Sequence, residues 1–366
     1  MKIFIESNVL TWQKKGGVSR YVVELLKGFK NRAEISNVTL FSRNIFYKKH
    51  KRGLIIPLRS GLAIRLNKFL IKKAIRKGGF DVLHIPSLED YFIDAIHKDV
   101  ALVITIHDLI SEHYPKEFGV DIKNRILNLL ARADRIIAIS NQTKKDLIRI
   151  FDVPEEKVDV IYHGCSFTEE DVLKNNESNQ YGDYILYVGY RSGYKNFENF
   201  CKALPKVLND FPYLNIVTVG GREFSVYEKD MIRKESLAKN LIHLENVSEN
   251  KLITLYKHAK TFVFPSKYEG FGLPLLEAFI CGTPVVCSNI SSLPEVGGDA
   301  PLYFDPEEIS DISRAILTVL QSSELQSEMI QKGYQQLKKF SWEQTINSTL
   351  ECYNLARQHT NSPKII

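Results

Sequence analysis

The stretch Glu269-Gly-Phe-Gly-Leu-Pro-Leu-Leu-Glu-Ala-Phe-Ile-Cys-Gly-Thr-Pro-Val-Val286 follows the apolar run Thr261-Phe-Val-Phe-Pro-Ser266 and ends in the apolar run of residues 284–288. It reads as strand, glycine turn, helix, strand. Pro274 sits where the first helical turn tolerates proline. Gly270 and Gly272 let backbone N–H groups approach a ligand, and a helix start adds positive potential, so the turn is suited to phosphate. Open parallel sheets bind ligands at the carboxyl ends of their strands, which is where this turn lies.

Outward from that turn the pattern repeats. Short β-rich runs alternate with helix-period segments, which argues for parallel sheets with crossover helices. The first series is KIFIES, VTLFS, DVLHIP, ALVITI, RIIAIS and VDVIYHG; the second is YILYVG, LNIVTVGG, LIHLENV, TFVFPS and TPVVCS. Between them the polar stretch TEEDVLKNNESNQYGD reads as a linker. Ser140 is placed to cap the helix beginning QTKKDLIRIF, and Asn196 stands ahead of FENFCKALPKVLND. The expected domains are residues 1–175, residues 176–340, and a final helical segment 341–366.

With 366 residues, 44% of them hydrophobic and 25% charged, the chain is long enough for two cores. It shows neither a membrane-length apolar run nor a signal-peptide pattern, so a cytoplasmic location is expected. Five scattered cysteines without CxxC spacing read as reduced thiols rather than a zinc site.

The net charge of +6 is uneven: residues 1–175 carry 30 Lys/Arg against 21 Asp/Glu, and the remainder 19 against 22. Twelve basic residues and no acid separate Glu34 from Asp81. Within that block Arg65, Lys68, Lys72 and Arg76 recur at helical intervals, with Leu62, Leu66, Phe69, Leu70 and Ala74 on another face. Residues 43–77 could thus meet an anionic membrane surface, or pack as an ordinary helix with a solvated cationic face. A nucleic-acid-binding protein is the competing class. The block lacks an aromatic stacking platform, although Phe46 and Tyr47 are near.

Three further segments carry candidate chemistry. In VGYRSGYKN, Arg191 and Lys195 leave a strand end together and could neutralise a diphosphate. In GGVSRY, Gly16 and Gly17 open a helix and could turn N–H groups toward an anion; this is not the dinucleotide pattern. In TIHDL, His107 ends an apolar strand. Taken singly, each has a structural reading: a solvated loop, a turn, a satisfied histidine.

In this order the motifs GGVSRY, TIHDL, RIIAIS, VGYRSGYKN, VSENKLITLYKHA and EGFGLPLLEAFICGTPVV resemble the GT-B-fold glycosyltransferases of family 4, within them the bacterial enzymes of surface-polysaccharide synthesis. The resemblance covers essentially the whole chain. It implies an α/β architecture of two doubly wound Rossmann-like domains facing across a cleft, with the C-terminal helix crossing back to the first. It implies a retaining hexosyl transfer from a nucleotide sugar, GDP-mannose first and UDP-hexoses next, to a glycan or lipid-diphosphate-linked acceptor at the inner face of the membrane. Glu269 would contact the transferred sugar, Glu277 the ribose, and Arg191 and Lys195 the diphosphate with backbone groups of Phe271, Gly272 and Leu273. Val247 would meet the base, and Gly17 and His107 would reach the phosphates and the sugar. No Asp-x-Asp occurs, so no metal and no other cofactor is expected. A GT-B transferase of storage or soluble-glycoside metabolism is the enzymatic alternative. A catalytically silent scaffold fits poorly with Glu269, Glu277, Arg191 and Lys195 all present.

Overall fold

The computed structural model describes all residues except Leu40, Arg43, 51–59, Gly119, Val120, Ser192 and 362–366. Arg43, Lys51, Arg52 and Arg59 of the basic block therefore lie outside the described residues. The chain divides into two units, Met1–Gly164 with Ser341–Ile366, and Cys165–Phe340.

Unit 1 holds six parallel strands, β1 (Lys2–Ile5), β2 (Glu34–Ser36), β3 (Val82–Ile85), β4 (Ala101–Ile106), β5 (Arg135–Ala138) and β6 (Val158–Val160), in the order β2-β1-β3-β4-β5-β6. The apolar runs of β1, β3, β4 and β5 are buried on both faces, as parallel strands covered by helices require. Alternation decides which side chain faces which layer. Ile3, Ile5, Val103 and Ile137 pack with Tyr21, Val22 and Leu25 of the helix Gly17–Gly28. Phe4, Leu102, Ile104 and Ile136 face the opposite layer with Ile71, Ile75, Ile126 and Leu129.

The final helix, Trp342–Asn361, adds Ile346, Cys352, Tyr353 and Ala356 to the first of those layers. The Tyr353 hydroxyl lies 2.6 Å from His84 Nδ1 on β3. A side chain at Gly28 would collide with Ile346, which explains the glycine at this helix crossing.

Unit 2 holds β7 (Tyr184–Val188), β8 (Asn215–Val219), β9 (Leu241–Leu244), β10 (Thr261–Phe264), β11 (Val285–Ser288) and β12 (Leu302–Phe304), ordered β12-β11-β10-β7-β8-β9 and all parallel. Ile185, Tyr187, Ile216, Val263 and Val286 form its core with Phe200, Leu204, Ile312 and Ile316 of the flanking helices.

Four local features differ from the sequence reading. The second strand is Glu34–Ser36, not VTLFS, because Ser7 bonds Val38 O and Thr39 and draws that stretch over the end of β1. The strand β12 was not anticipated: it is a three-residue edge between Pro301 and Asp305. The polar stretch after Phe167 opens with a helix, Glu169–Lys174, set by a capping box between Thr168 and Asp171. It belongs to unit 2, where the Asn175 amide donates to Asn250 O. Asn196 does precede Phe197–Asp210, but in the left-handed region (φ 56°) and without a side-chain cap; its amide donates to Pro306 O. Ser140 caps as expected, accepting from Thr143 N–H at 3.1 Å.

Candidate active site

In each sheet the strand order reverses once. In unit 2 the chain runs β7-β8-β9 in one direction and β10-β11-β12 in the other, so the crevice at the carboxyl ends of β7 and β10 is the switch point where such sheets bind ligands. Two sequence-predicted residues meet there. Lys195, in the turn after β7, places Nζ 2.6 Å from Glu269 Oε1, in the turn after β10. Their side chains are 16% and 10% exposed, so the pair is shielded from solvent on most sides. The backbone holds the same approach: Lys267 N–H donates to Tyr194 O at 2.7 Å.

Behind Glu269, Gly272 adopts φ 108°, a conformation glycine takes without strain, and caps the helix Leu273–Ile280. A Cβ there would press on Leu293. Phe271 is buried against Phe340, so its part in a site is limited to its backbone. Glu277 lies in that helix and accepts from the Tyr256 hydroxyl at 3.2 Å. Burial, reinforced by the Glu277 carboxylate, drives the Tyr256 phenol well above its ordinary range, so it stays a donor. Tyr256 sits within VSENKLITLYKHA, where an aromatic at helical spacing reads only as core. Val247 stands just before Ser248, whose hydroxyl accepts from Lys251 N–H and starts the helix Glu249–His258.

Arg191 has a separate set of partners. Its Nε donates to Glu228 Oε1 at 2.6 Å, and its terminal nitrogens donate to Gly220 O at 2.8 Å and Arg222 O at 2.5 Å. Its guanidinium stacks over Phe224 and its side chain is 5% exposed. The partners of Arg191 are thus a glutamate of the helix Val226–Lys234 and two carbonyls of the turn that follows β8. Gly221 is glycine partly for this reason, since a Cβ would meet the guanidinium at 2.8 Å.

In unit 1, Gly17 is the first residue of its helix, and the Gln13 side chain already accepts from Ser19 N–H there at 2.9 Å. An anion at this helix start would have to displace Gln13. Tyr21, one turn on, packs edge-on to His107 with ring centroids 5.2 Å apart. His107 Nε2 donates to Pro86 O at 2.9 Å, which leaves Nδ1 to accept from His163 Nε2 at 3.3 Å. Burial lowers the His107 pKa to about 4, so the ring is neutral near pH 7.

The switch point of this sheet lies between β1 and β3, and it carries a buried polar cluster that sequence reasoning missed. Glu6 accepts from Asn8 N–H at 2.9 Å, from the Tyr91 hydroxyl at 3.2 Å and from the Ser87 hydroxyl at 3.3 Å. The Asn8 amide donates to Glu89, which is ion-paired to Lys68 at 2.8 Å. A lone glutamate after a strand carries no signal of this.

Residues 15–168 match the model of the family described as Glycosyltransferase Family 4, and residues 168–336 that of Glycosyl transferases group 1. The chain belongs to the family 4 glycosyltransferases. O-antigen chain mannosyltransferase B of Escherichia coli is 29% identical over 372 residues, which span 93% of this chain and 96% of that protein. Among solved structures, a sucrose-phosphate synthase from Thermosynechococcus elongatus superimposes with a TM-score of 0.74 at 18% identity, covering 96% of this chain and 98% of that one. HepE of Anabaena in complex with UDP-glucose gives 0.73 at 19% identity, covering 96% and 99%. These two likenesses carry the fold, which is the two-domain α/β GT-B fold. Among the described residues of this family 4 glycosyltransferase, no helix is long and apolar enough to cross a membrane, and no group of three or more His, Cys, Asp or Glu is placed to hold a metal.

Proposed function

We propose that this glycosyltransferase moves a hexose, with retention of configuration and without a metal ion, from a nucleotide diphosphate to a hydroxyl of a glycan or lipid-linked acceptor during surface-polysaccharide synthesis. The observation that carries the reading is the Lys195–Glu269 pair at the switch point of the second sheet, beside the helix that Gly272 opens. The likeness to an O-antigen mannosyltransferase supports GDP-mannose as the first donor to try. The complex of HepE with UDP-glucose supports UDP-sugars as the next.

In the free enzyme Glu269 holds the Lys195 ammonium in place. A diphosphate arriving at Lys195 gives that cation a stronger anionic partner, and Glu269 turns to accept from hydroxyls of the sugar. Lys195 thus supplies the positive charge that a metal supplies elsewhere, in a site prepared before the donor arrives. Glu277, oriented by Tyr256, accepts from the ribose hydroxyls, and Val247 offers backbone groups to the base. Within unit 1, the neutral His107 is assigned to the sugar and the helix start at Gly17 to a phosphate. The bond from the anomeric carbon to the phosphate oxygen breaks as the acceptor oxygen bonds on the same face. The acceptor proton passes to the departing phosphate.

Acceptors in a bilayer would suit the helix Ser60–Lys77. Leu62, Leu66 and Phe69 are 54%, 37% and 66% exposed on it, with Arg65, Lys73 and Arg76 also exposed. Lys68 and Lys72 are turned away, to Glu89 and Asp94. This mixed face is assigned to the surface of an anionic membrane at the cytoplasmic side.

Thermal-shift measurements with UDP, GDP, ADP and their sugars, with and without EDTA, test the donor. One nucleotide series should raise the melting temperature, and EDTA should leave that rise unchanged. A shift with oligonucleotides and none with nucleotides would remove the enzyme reading. For the pair itself, Lys195→Ala should weaken donor affinity by about tenfold or more, the loss of one charge-assisted contact.

A further inference from the structure

We infer that Ser291 and Ser292, in the turn after β11, are positioning residues that fix the backbone under Glu269. The inference rests on the reading of Glu269 as the sugar-contacting carboxylate. Three observations at adjacent residues converge on it.

First, Ser291 adopts φ 59°, in the left-handed region where a residue with a side chain is strained. Such strain persists only where the surroundings over-determine it, and it gathers at functional sites. Second, the surroundings here are the Glu269 turn. The Ser291 hydroxyl donates to Glu269 O at 2.5 Å and accepts from Glu269 N–H at 2.8 Å and Ser292 N–H at 2.6 Å. One donor and two acceptor positions are all in use, which is the full capacity of a hydroxyl. A single side chain therefore brackets both backbone groups of Glu269.

Third, Ser292 forgoes the task its position offers. It stands at the N-cap of the helix Leu293–Gly297, where serine ordinarily accepts from a first-turn N–H, yet it makes no such bond. Its buried hydroxyl instead lies 2.9 Å from both Glu269 O and Phe271 O and shares its single proton between the two carbonyls. Strain at one residue and an unused cap at the next are both local costs. Both are spent on the same three-residue stretch, Glu269 to Phe271.

The consequence is orientational. Glu269 must release Lys195 and meet sugar hydroxyls without its backbone drifting, because small misplacements of a reacting geometry are expensive. Two hydroxyls holding its N–H and C=O confine the motion to the side chain.

The test compares Ser291→Gly, which tolerates the left-handed backbone and lacks the hydroxyl, with Ser292→Ala and Glu269→Gln. Turnover is followed as nucleotide release from GDP-mannose or UDP-glucose, whichever the donor screen selects. Both serine variants should lose about tenfold in kcat while KM for the donor stays within about twofold and the melting temperature within about 2 °C. Wild-type kcat in both, with Glu269→Gln slow, overturns the role of the serines and leaves the site reading intact. A kcat loss that merely tracks lost melting temperature also overturns it, since that is a brace and not a positioning role. Wild-type turnover in Glu269→Gln overturns the site reading itself.

Discussion

Arg191 and Glu228 are joined Nε to Oε1 at 2.6 Å, and the same guanidinium holds the carbonyls of Gly220 and Arg222. The turn after β8 is therefore pinned to the turn after β7 by a nearly buried cation. His243 donates from Nε2 to Arg222 O at 3.0 Å, so that one carbonyl is gripped from two strands.

Removing Arg191 takes the guanidinium from Gly220 O and leaves Glu228 to Ser225 and Arg222 O to His243. Arg191→Ala should cost about 3 kcal/mol of stability, read as a fall in the denaturation midpoint. Glu228→Gln separates the two roles Arg191 could play. If the guanidinium served the diphosphate directly, loosening it from Glu228 would preserve or tighten donor binding. As a clamp, it predicts that Glu228→Gln weakens donor binding in the same direction as Arg191→Ala, with less than additive effects in the double variant.

Burial pushes the Glu6 carboxyl from 4.5 up to about 7, and the neighbouring Glu89 pushes it further the same way; the Asn8, Tyr91 and Ser87 donors oppose them. Because the folded-state value is the higher one, the native state holds its proton more tightly than the unfolded chain. Its contribution to stability is full below about pH 4.5 and is lost as pH rises through about 7. Glu6→Gln should be more stable than wild type at pH 8, by up to about 3 kcal/mol, with the difference closing toward pH 5. Melting temperatures across that range decide it; parallel curves would place the titration elsewhere.

Gly28→Ala drives a methyl into Ile346 at the crossing of the helices Gly17–Gly28 and Trp342–Asn361. The expected cost is about 1–3 kcal/mol. Adding Ile346→Ala should make the second substitution less harmful than it is alone, because the two share one space. Strict additivity would mean that the helices do not cross as described.

The sheets were legible because parallel strands buried on both faces leave unbroken apolar runs, as ALVITI and TFVFPS do. The edge strands β2 and β12 were not, because three residues at an edge need little apolar content. That Glu269 and Lys195 share one strand-end crevice was legible from glycines and strand ends. The direction of Arg191 was hidden, since its partners are carbonyls on a different strand's turn and carbonyls leave no trace in residue identity. Ser291 and Ser292 were invisible for a related reason: loop serines are common, and only the φ angle and the missing cap distinguish these two. The Glu6 cluster likewise depends on β1 and β3 being neighbours, which no local pattern states.

Unit 1 is assembled from residues 1–164 and 341–366, with Tyr353 and Ile346 inside its first layer. On the ribosome, synthesis is vectorial, so the whole of residues 165–340 must emerge before this half can close its own interior. During that interval the surface awaiting Ile346, Cys352, Tyr353 and Ala356 is uncovered, a natural client for chaperones, while the second half is free to mature first.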